Sequence, residues 1–282
     1  MKKHAYLIIA HNNYYCLKKL LELLDDERND IYLHIDKKST DFDFSFFQQV
    51  CKKSVVIYPK KRIDVRWGTQ SQIRTEMLLF RTAFERGPYH YYHLISGVDL
   101  PLKTQEEMHR FFDAKNEIYL CYTTNPTKWD CQRITRYHNV LPDKKLGKRL
   151  NGYLYMLQEK LGVDRIKRKG FQICKGGNWA SLTNAAVEFL LSNERTIYKM
   201  TRFSSCADEV YKQTMLLNHG FQVNPEDWRY MVNTPGSSHP KVFTADDFPV
   251  LMAQNKLFAR KFDERTDREV IDLVYKSLIG RM

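Results

Sequence analysis

"AYLIIAHNNYYCLKKLLELLDDERNDIYLHID", residues 5–36, decides the fold. Its first eight residues (5–12) are an apolar run that gives way only at His11 and Asn12, as a strand buried on both faces requires. "YCLKKLLELLDD" (15–26) then spaces leucines among lysines and acids as an amphipathic helix does, and "DIYLHID" (30–36) returns to strand composition. The alternation continues through "SVVIYP" (54–59, strand), "SQIRTEMLLFRTAFERG" (71–87, helix ended by glycine) and "YHYYHLISG" (89–97, strand). It runs on through "TQEEMHRFFD" (104–113, capped helix) and "NEIYLCY" (116–122, strand). Strands alternating with helices predict an α/β fold, a mainly parallel sheet flanked by helices on both faces. Ligands then bind beyond the carboxyl ends of the strands, at "AHN", "HIDKKS" and "SGVD".

From 123 to 170 the pattern weakens into turn signals, aromatics and basic residues, which reads as an insertion or a mobile acceptor-side segment. It returns at "GGNWASLT" (176–183). With no repeat or linker, the whole of 1–282 reads as a single domain. Hydrophobic residues make up 43 % and charged residues 28 %, a globular composition, and no run approaches the ~20 apolar residues of a membrane span. The basic then apolar N-terminus mimics a signal peptide, but its run is short and no small-residue cleavage site follows, so it reads as the first strand. Six scattered cysteines, without a CxxC or zinc spacing, read as free thiols in a reducing cytoplasm.

The formal charge is +12, with clusters at 59–62, 143–149 and 165–170. An excess of this sign favours anionic partners: nucleic acid, anionic lipid or nucleotide phosphate. Aromatics are not interleaved with the basic clusters and no reader motif appears, which weighs against a nucleic-acid-binding protein. GxGxxG and Walker sequences are missing, which argues against dinucleotide and P-loop enzymes. A literal DxD, Asp41-Phe42-Asp43, follows no apolar strand and sits in a Ser/Thr/Asp loop, a poor context for a metal site. Asp99 stands alone at a strand end.

"SSCADEVYKQTMLLN" (204–218) places two acids at a helix start. Ser205 and Asp208 fit a capping box, and Val210, Thr214 and Leu217 recur at helical spacing as a core-facing stripe. Glu209 is left over. Further on, Trp228 and Tyr230 in "EDWRYMV" are two apart, on the same side of an extended segment. They read either as core or as a platform for a sugar's apolar C–H face. Lys241, Lys256, Arg260 and Lys261 read either as a solvated face or as cations for a leaving diphosphate.

Together "AYLIIAHN", "IYLHIDKKS", "VRWGTQSQIRTEMLLFRTA", "YHLISGVDLPLK", "GGNWASLT", "ADEVYKQTMLLN", "EDWRYMV" and "LFARKFD" resemble, in order from residue 5 to 263, the core-2/I-branching glycosyltransferases, family 14, and especially their short bacterial members. The resemblance implies a GT-A-like fold and an inverting, metal-independent transferase that takes a UDP-sugar donor and no other cofactor. It makes Glu209 the catalytic base, in a triplet with Ala207 where the branching enzymes have proline. An ionised carboxylate, with an ordinary pKa of ~4.3, suits that role. It further makes Trp228 and Tyr230 acceptor contacts, with Lys128 and Arg133 as further acceptor-side candidates. Lys261 becomes the cation on the diphosphate. The arginine expected to assist it falls on Ser238, so Lys241 or Arg260 takes its place. Ala10, His11 and Asp36 would line the uridine pocket, and Asp99 would meet the donor sugar or ribose.

N-acetylglucosamine is the donor sugar favoured by the resemblance, with UDP-xylose or UDP-glucose as alternatives, and the acceptor is a glycan or lipid-linked hydroxyl. A bacterial surface-polysaccharide enzyme, cytoplasmic and peripheral at the inner face of an anionic membrane, fits the charge. A catalytically idle sugar-binding relative is the remaining reading, and intact Glu209, Trp228 and Tyr230 weigh against it.

Overall fold

A computed structural model describes residues 2–138, 145–166, 170–234, 236 and 239–281. Ser238 and parts of the basic clusters at 143–149 and 165–170 lie outside these residues.

The opening stretch folds as read. Strand β1 (His4–Ala10), helix α1 (Tyr14–Leu23) and strand β2 (Asn29–Ile35) follow in order, and both strands are buried along their whole length. The pleat explains why. Tyr6, Ile8 and Ala10 face one core while Ala5, Leu7 and Ile9 face another on the opposite side of the sheet. Helix α2 (Phe44–Gln48), strand β3 (Val55–Ile57), helix α3 (Gln70–Phe84) and strand β4 (Tyr91–Ser96) complete the parallel half. β1 pairs in parallel with β2 and β4, and β2 with β3.

After β4 the chain makes strand β5 (Asp99–Pro101), helix α4 (Gln105–Asp113) with a complete capping box on Thr104 and Glu107, and strand β6 (Ile118–Leu120). The segment expected to be an insertion or mobile face carries two helices, α5 (Lys128–Thr135) and α6 (Lys145–Lys160). Strand β7 (Ala180–Thr183) leads to helices α7 (Asn184–Ser192), α8 (Glu194–Thr201) and α9 (Tyr211–Asn218). Strands β8 (Val223–Asn224) and β9 (Arg229–Met231), helix α10 (Phe248–Ala253), strand β10 (Phe258–Arg260) and helix α11 (Glu269–Ile279) finish the chain.

The large sheet runs β3-β2-β1-β4-β7-β6-β8. β7 is antiparallel to both its neighbours and the other pairings are parallel, so the sheet is mainly parallel, as expected. A second sheet, β5-β10-β9, sits beyond the carboxyl end of β4 and carries Asp99 and Arg260 in direct register. Gly97 permits the close approach there: a Cβ on it would come within 2.6 Å of the Ala10 Cβ. The six cysteines are free, and no helix among the described residues is long and apolar enough to cross a membrane.

Candidate active site

Glu209 does sit apart from helix capping, but for a different reason from the one the sequence suggested. Ser205 and Asp208 form no capping box. Residues Ala207–Glu209 make a single 3-10 turn entered through Cys206 at φ 46°, with no side-chain cap, and α9 begins only at Tyr211. Ser205 instead donates its N–H to the Arg133 carbonyl (3.0 Å), and Cys206 donates to that of Gly68 (3.0 Å). The turn is thus held by α5 and by the loop ahead of α3.

The Glu209 carboxylate, 37 % exposed, accepts from Arg133 Nη1 at 2.6 Å and lies 3.9 Å from Lys175 Nζ. Asp130 touches the same two cations, at 3.7 and 3.9 Å. Of the two acceptor-side candidates, Arg133 therefore reaches Glu209, whereas Lys128 pairs with Glu159 on α6. Lys175 was not singled out from sequence. Its only signal there is its place one residue before the "GGNWASLT" stretch.

That stretch is the spine of the site. The Gly176 N–H donates to the Glu209 carbonyl (2.9 Å), and a Cβ on Gly176 would overlap the Cys121 carbonyl at 1.8 Å, so only glycine fits. Asn178 takes a hydrogen bond from Lys212 Nζ at 2.6 Å. The Arg260 guanidinium stands 4.5 Å from the centre of the Trp179 ring, a cation–π distance. Arg260 is also held by Asp99 at 2.7 Å. Asp99 is buried and spends its other oxygen on the Ser96 N–H. Burial raises its pKa, against the pull of Arg260, the Ser96 bond and Arg229. Asp99 is therefore placed to fix Arg260.

Lys261 follows Arg260 and makes no ion pair among the described residues. Its charge, with those of Lys38 and Arg260, adds to desolvation in lowering the pKa of His11, while Asp36 works the other way. The exposed end of β1 and the end of β10 thus share one electrostatic neighbourhood. Asp36 itself is buried, holding Lys38 Nζ (3.0 Å) and the Lys38 N–H (2.8 Å), and Ala10 accepts the Asp36 N–H. Lys241 is tied to Asp247 at 2.6 Å.

The aromatic pair differs from the sequence picture. Trp228 has φ 58°, so it is not part of an extended run with Tyr230. Its ring packs 4.8 Å from Phe111 against the core, while Tyr230 stacks on Phe243 at 5.8 Å. Between them Arg229 reaches back to the large sheet and donates to the Ala180 carbonyl at 2.8 Å. The DxD residues are structural too: Asp43 caps α2, Phe42 is buried, and Asp41 accepts from the Tyr14 hydroxyl.

Asp208 is raised to about 7, chiefly by desolvation and then by the nearby Glu76 charge; Lys212 opposes the shift and Glu209 adds to it. The sign follows. In the folded state Asp208 keeps its proton where the unfolded chain has lost it, so stability present at low pH is lost as pH rises from about 4 to about 7. Asp208→Asn is expected to out-melt the parent chain by a margin that widens over that window and is flat above it. Thermal melts at stepped pH measure this, and a constant margin would refute it.

Residues 4–255 match the family described as Core-2/I-Branching enzyme. Mouse xylosyltransferase 2 is 22 % identical over 98 % of this chain, and the plant β-glucuronosyltransferase GlcAT14B of Arabidopsis thaliana is 23 % identical over 100 % of it. The chain spans 34 % of the length of the mouse relative and 63 % of the plant one. The apo structure of mouse xyloside xylosyltransferase 1 superposes with a TM-score of 0.43 at 11 % identity, covering 92 % of this chain and 97 % of that one. On the family match across nearly its whole length, this chain belongs to the core-2/I-branching enzymes, a family of glycosyltransferases.

Proposed function

We propose that the chain moves a sugar from a UDP-sugar to a hydroxyl of a glycan or lipid-linked acceptor by one in-line displacement, inverting the anomeric carbon and using no metal. Glu209 takes the proton of the acceptor hydroxyl. The acceptor oxygen bonds to the anomeric carbon as the bond to the β-phosphate breaks, and UDP leaves with the negative charge. Lys261 meets that charge, because Lys241 is tied to Asp247 and Arg260 shares its charge with Asp99. Trp179, under Arg260, lies at the donor sugar. His11 and the Ala10–Asp36 strand ends lie at the nucleotide. Arg133 and Lys175 orient the base and take the acceptor's oxygens. Trp228 and Tyr230 support the acceptor side from the core.

The observation that carries this reading is the stretch 175–179. Lys175 contacts Glu209 and Trp179 contacts Arg260. Four residues of chain span at most ~14 Å, so one short segment ties the proposed base to Arg260, the residue next to Lys261. N-acetylglucosamine is the proposed sugar, in bacterial surface-polysaccharide synthesis at the cytoplasmic face. The names of the relatives keep UDP-xylose and UDP-glucuronate in competition, with UDP-glucose beside them.

UDP release from a panel of these donors, with EDTA present, is the test. Turnover is expected to survive the chelator. Lys261→Ala should lower it by about 10²-fold, as loss of one preorganised charge does, and Lys241→Ala by less than about threefold. Turnover that needs Mn²⁺, or that ignores Lys261→Ala, would overturn the lysine assignment.

A further inference from the structure

Helix α6 turns the usual logic of an amphipathic helix around. Its inward side is Gly147, Tyr155 and Gln158: Gly147 is buried, and the buried Gln158 exchanges hydrogen bonds with the Tyr137 backbone at 2.6 and 3.0 Å. Its apolar stripe lies elsewhere. Leu150, Tyr153, Leu154, Leu157 and, just past the helix end, Leu161 recur at i, i+3, i+4, i+7 and i+11, one line along the surface, each 39–70 % exposed. Isolated exposed leucines need no explanation, but a helical stripe aimed at solvent does.

The charge around the stripe says what covers it. In sequence, residues 145–170 hold eight Lys and Arg against two Asp and Glu, +6 of the chain's +12, and two of these cations have described side chains beside the stripe. Arg149 and Lys160, both exposed, lie on the helix flank next to the stripe. Leucine and tyrosine on one face with cations beside them is the make-up of helices that lie in a bilayer interface. A second copy of this chain would bring the same positive field against itself, and a nucleic acid would leave the leucines uncovered.

We propose that α6 docks by its leucine and tyrosine stripe in the interface of an anionic bilayer. The docking stands independently of the transferase reading, since it is measured without turnover. Its consequence for that reading is geometric. α6 holds α5 through the Glu159–Lys128 pair, and α5 carries Arg133 against Glu209, so the docked helix is tied through α5 to the base side of the site.

The test is co-sedimentation of the full chain with vesicles of phosphatidylcholine containing about one third phosphatidylglycerol, beside phosphatidylcholine alone. The parent chain is expected to bind the anionic vesicles, and to bind them less well at high salt. The triple variant Tyr153→Ser, Leu157→Ser, Leu161→Ser should bind at least about tenfold more weakly with an unchanged melt, since each lost side chain is already exposed. The charge variant Arg149→Glu, Lys160→Glu tests the same face without touching the stripe and should also lose binding. No binding by the parent chain, or full binding by both variants, would overturn the proposal. So would a concentration-dependent dimer that the triple variant dissociates, because the stripe would then be covered by a second copy.

Discussion

Glu209→Gln is expected to abolish most UDP-sugar turnover, by roughly 10²–10⁴-fold, with the fold and donor affinity kept. Glutamine preserves the shape of the side chain and can still accept from Arg133, which stands 2.6 Å from the carboxylate, but it cannot take a proton at neutral pH. The stability cost should be small, below about 1 kcal/mol, because the carboxylate is 37 % exposed and its ion pairs are partly screened. The measurement is UDP release by the parent chain and the variant, beside a donor-binding assay on both. Retained binding with lost turnover identifies a group needed only in the transition state. Retained turnover would make Glu209 an element of the 207–209 turn and nothing more. Arg133→Ala supplies the contrast. It should raise the KM for acceptor as well as lower kcat, since the guanidinium serves both the base and the acceptor's oxygens in the proposed mechanism.

The sheet was legible because burial on both faces writes itself into composition. "AYLIIAHN" and "IYLHID" have almost no polar positions, and the strands they form are buried throughout. The proposal of Glu209 as the base rests on the resemblance alone. Locally, Ser205 and Asp208 spelled a capping box, and the structure shows a turn pinned by backbone bonds to Arg133 and Gly68 that no local pattern encodes. Trp228 and Tyr230 failed as an extended pair because period-2 reasoning assumes β dihedrals, and Trp228 sits at φ 58°. Lys175 was invisible for a related reason. Its partner Glu209 is 34 positions away, and the strand bridge from Lys175 to Thr123 is what turns it toward the acid. The spacing of α9 misled most. Val210, Thr214 and Leu217 suggested one buried stripe, yet residues 211–216 are all buried, Lys212 among them.

Breaking the ion pair that Lys212 makes inside this core is expected to be the largest stability effect in the chain. Lys212 Nζ and Glu76 Oε2 are 2.8 Å apart with no exposure on either side chain. Tyr211 donates its hydroxyl to the same oxygen at 2.7 Å, and Gln72 reaches the other at 3.1 Å. Removing one partner strands the other's charge away from water, so Lys212→Met and Glu76→Gln should each cost about 3–5 kcal/mol in urea unfolding. Lys212→Met with Glu76→Leu removes both charges and should recover part of that loss, the remainder being the buried Tyr211 hydroxyl and Asn178 left without their partners. Recovery of stability is not recovery of function. Lys212 Nζ also holds the Asp208 carbonyl at 3.2 Å and Asn178 at 2.6 Å, which are the neighbours of Glu209 and of Trp179. The double variant should therefore fold and bind donor yet turn over at least about tenfold more slowly, as a loosened catalytic geometry does. A double variant as active as the parent chain would confine the pair to stability. Single variants that lose less than about 1 kcal/mol would show that water reaches the pair, and the turn carrying Glu209 would then be held by its backbone bonds to Gly176, Gly68 and Arg133 alone.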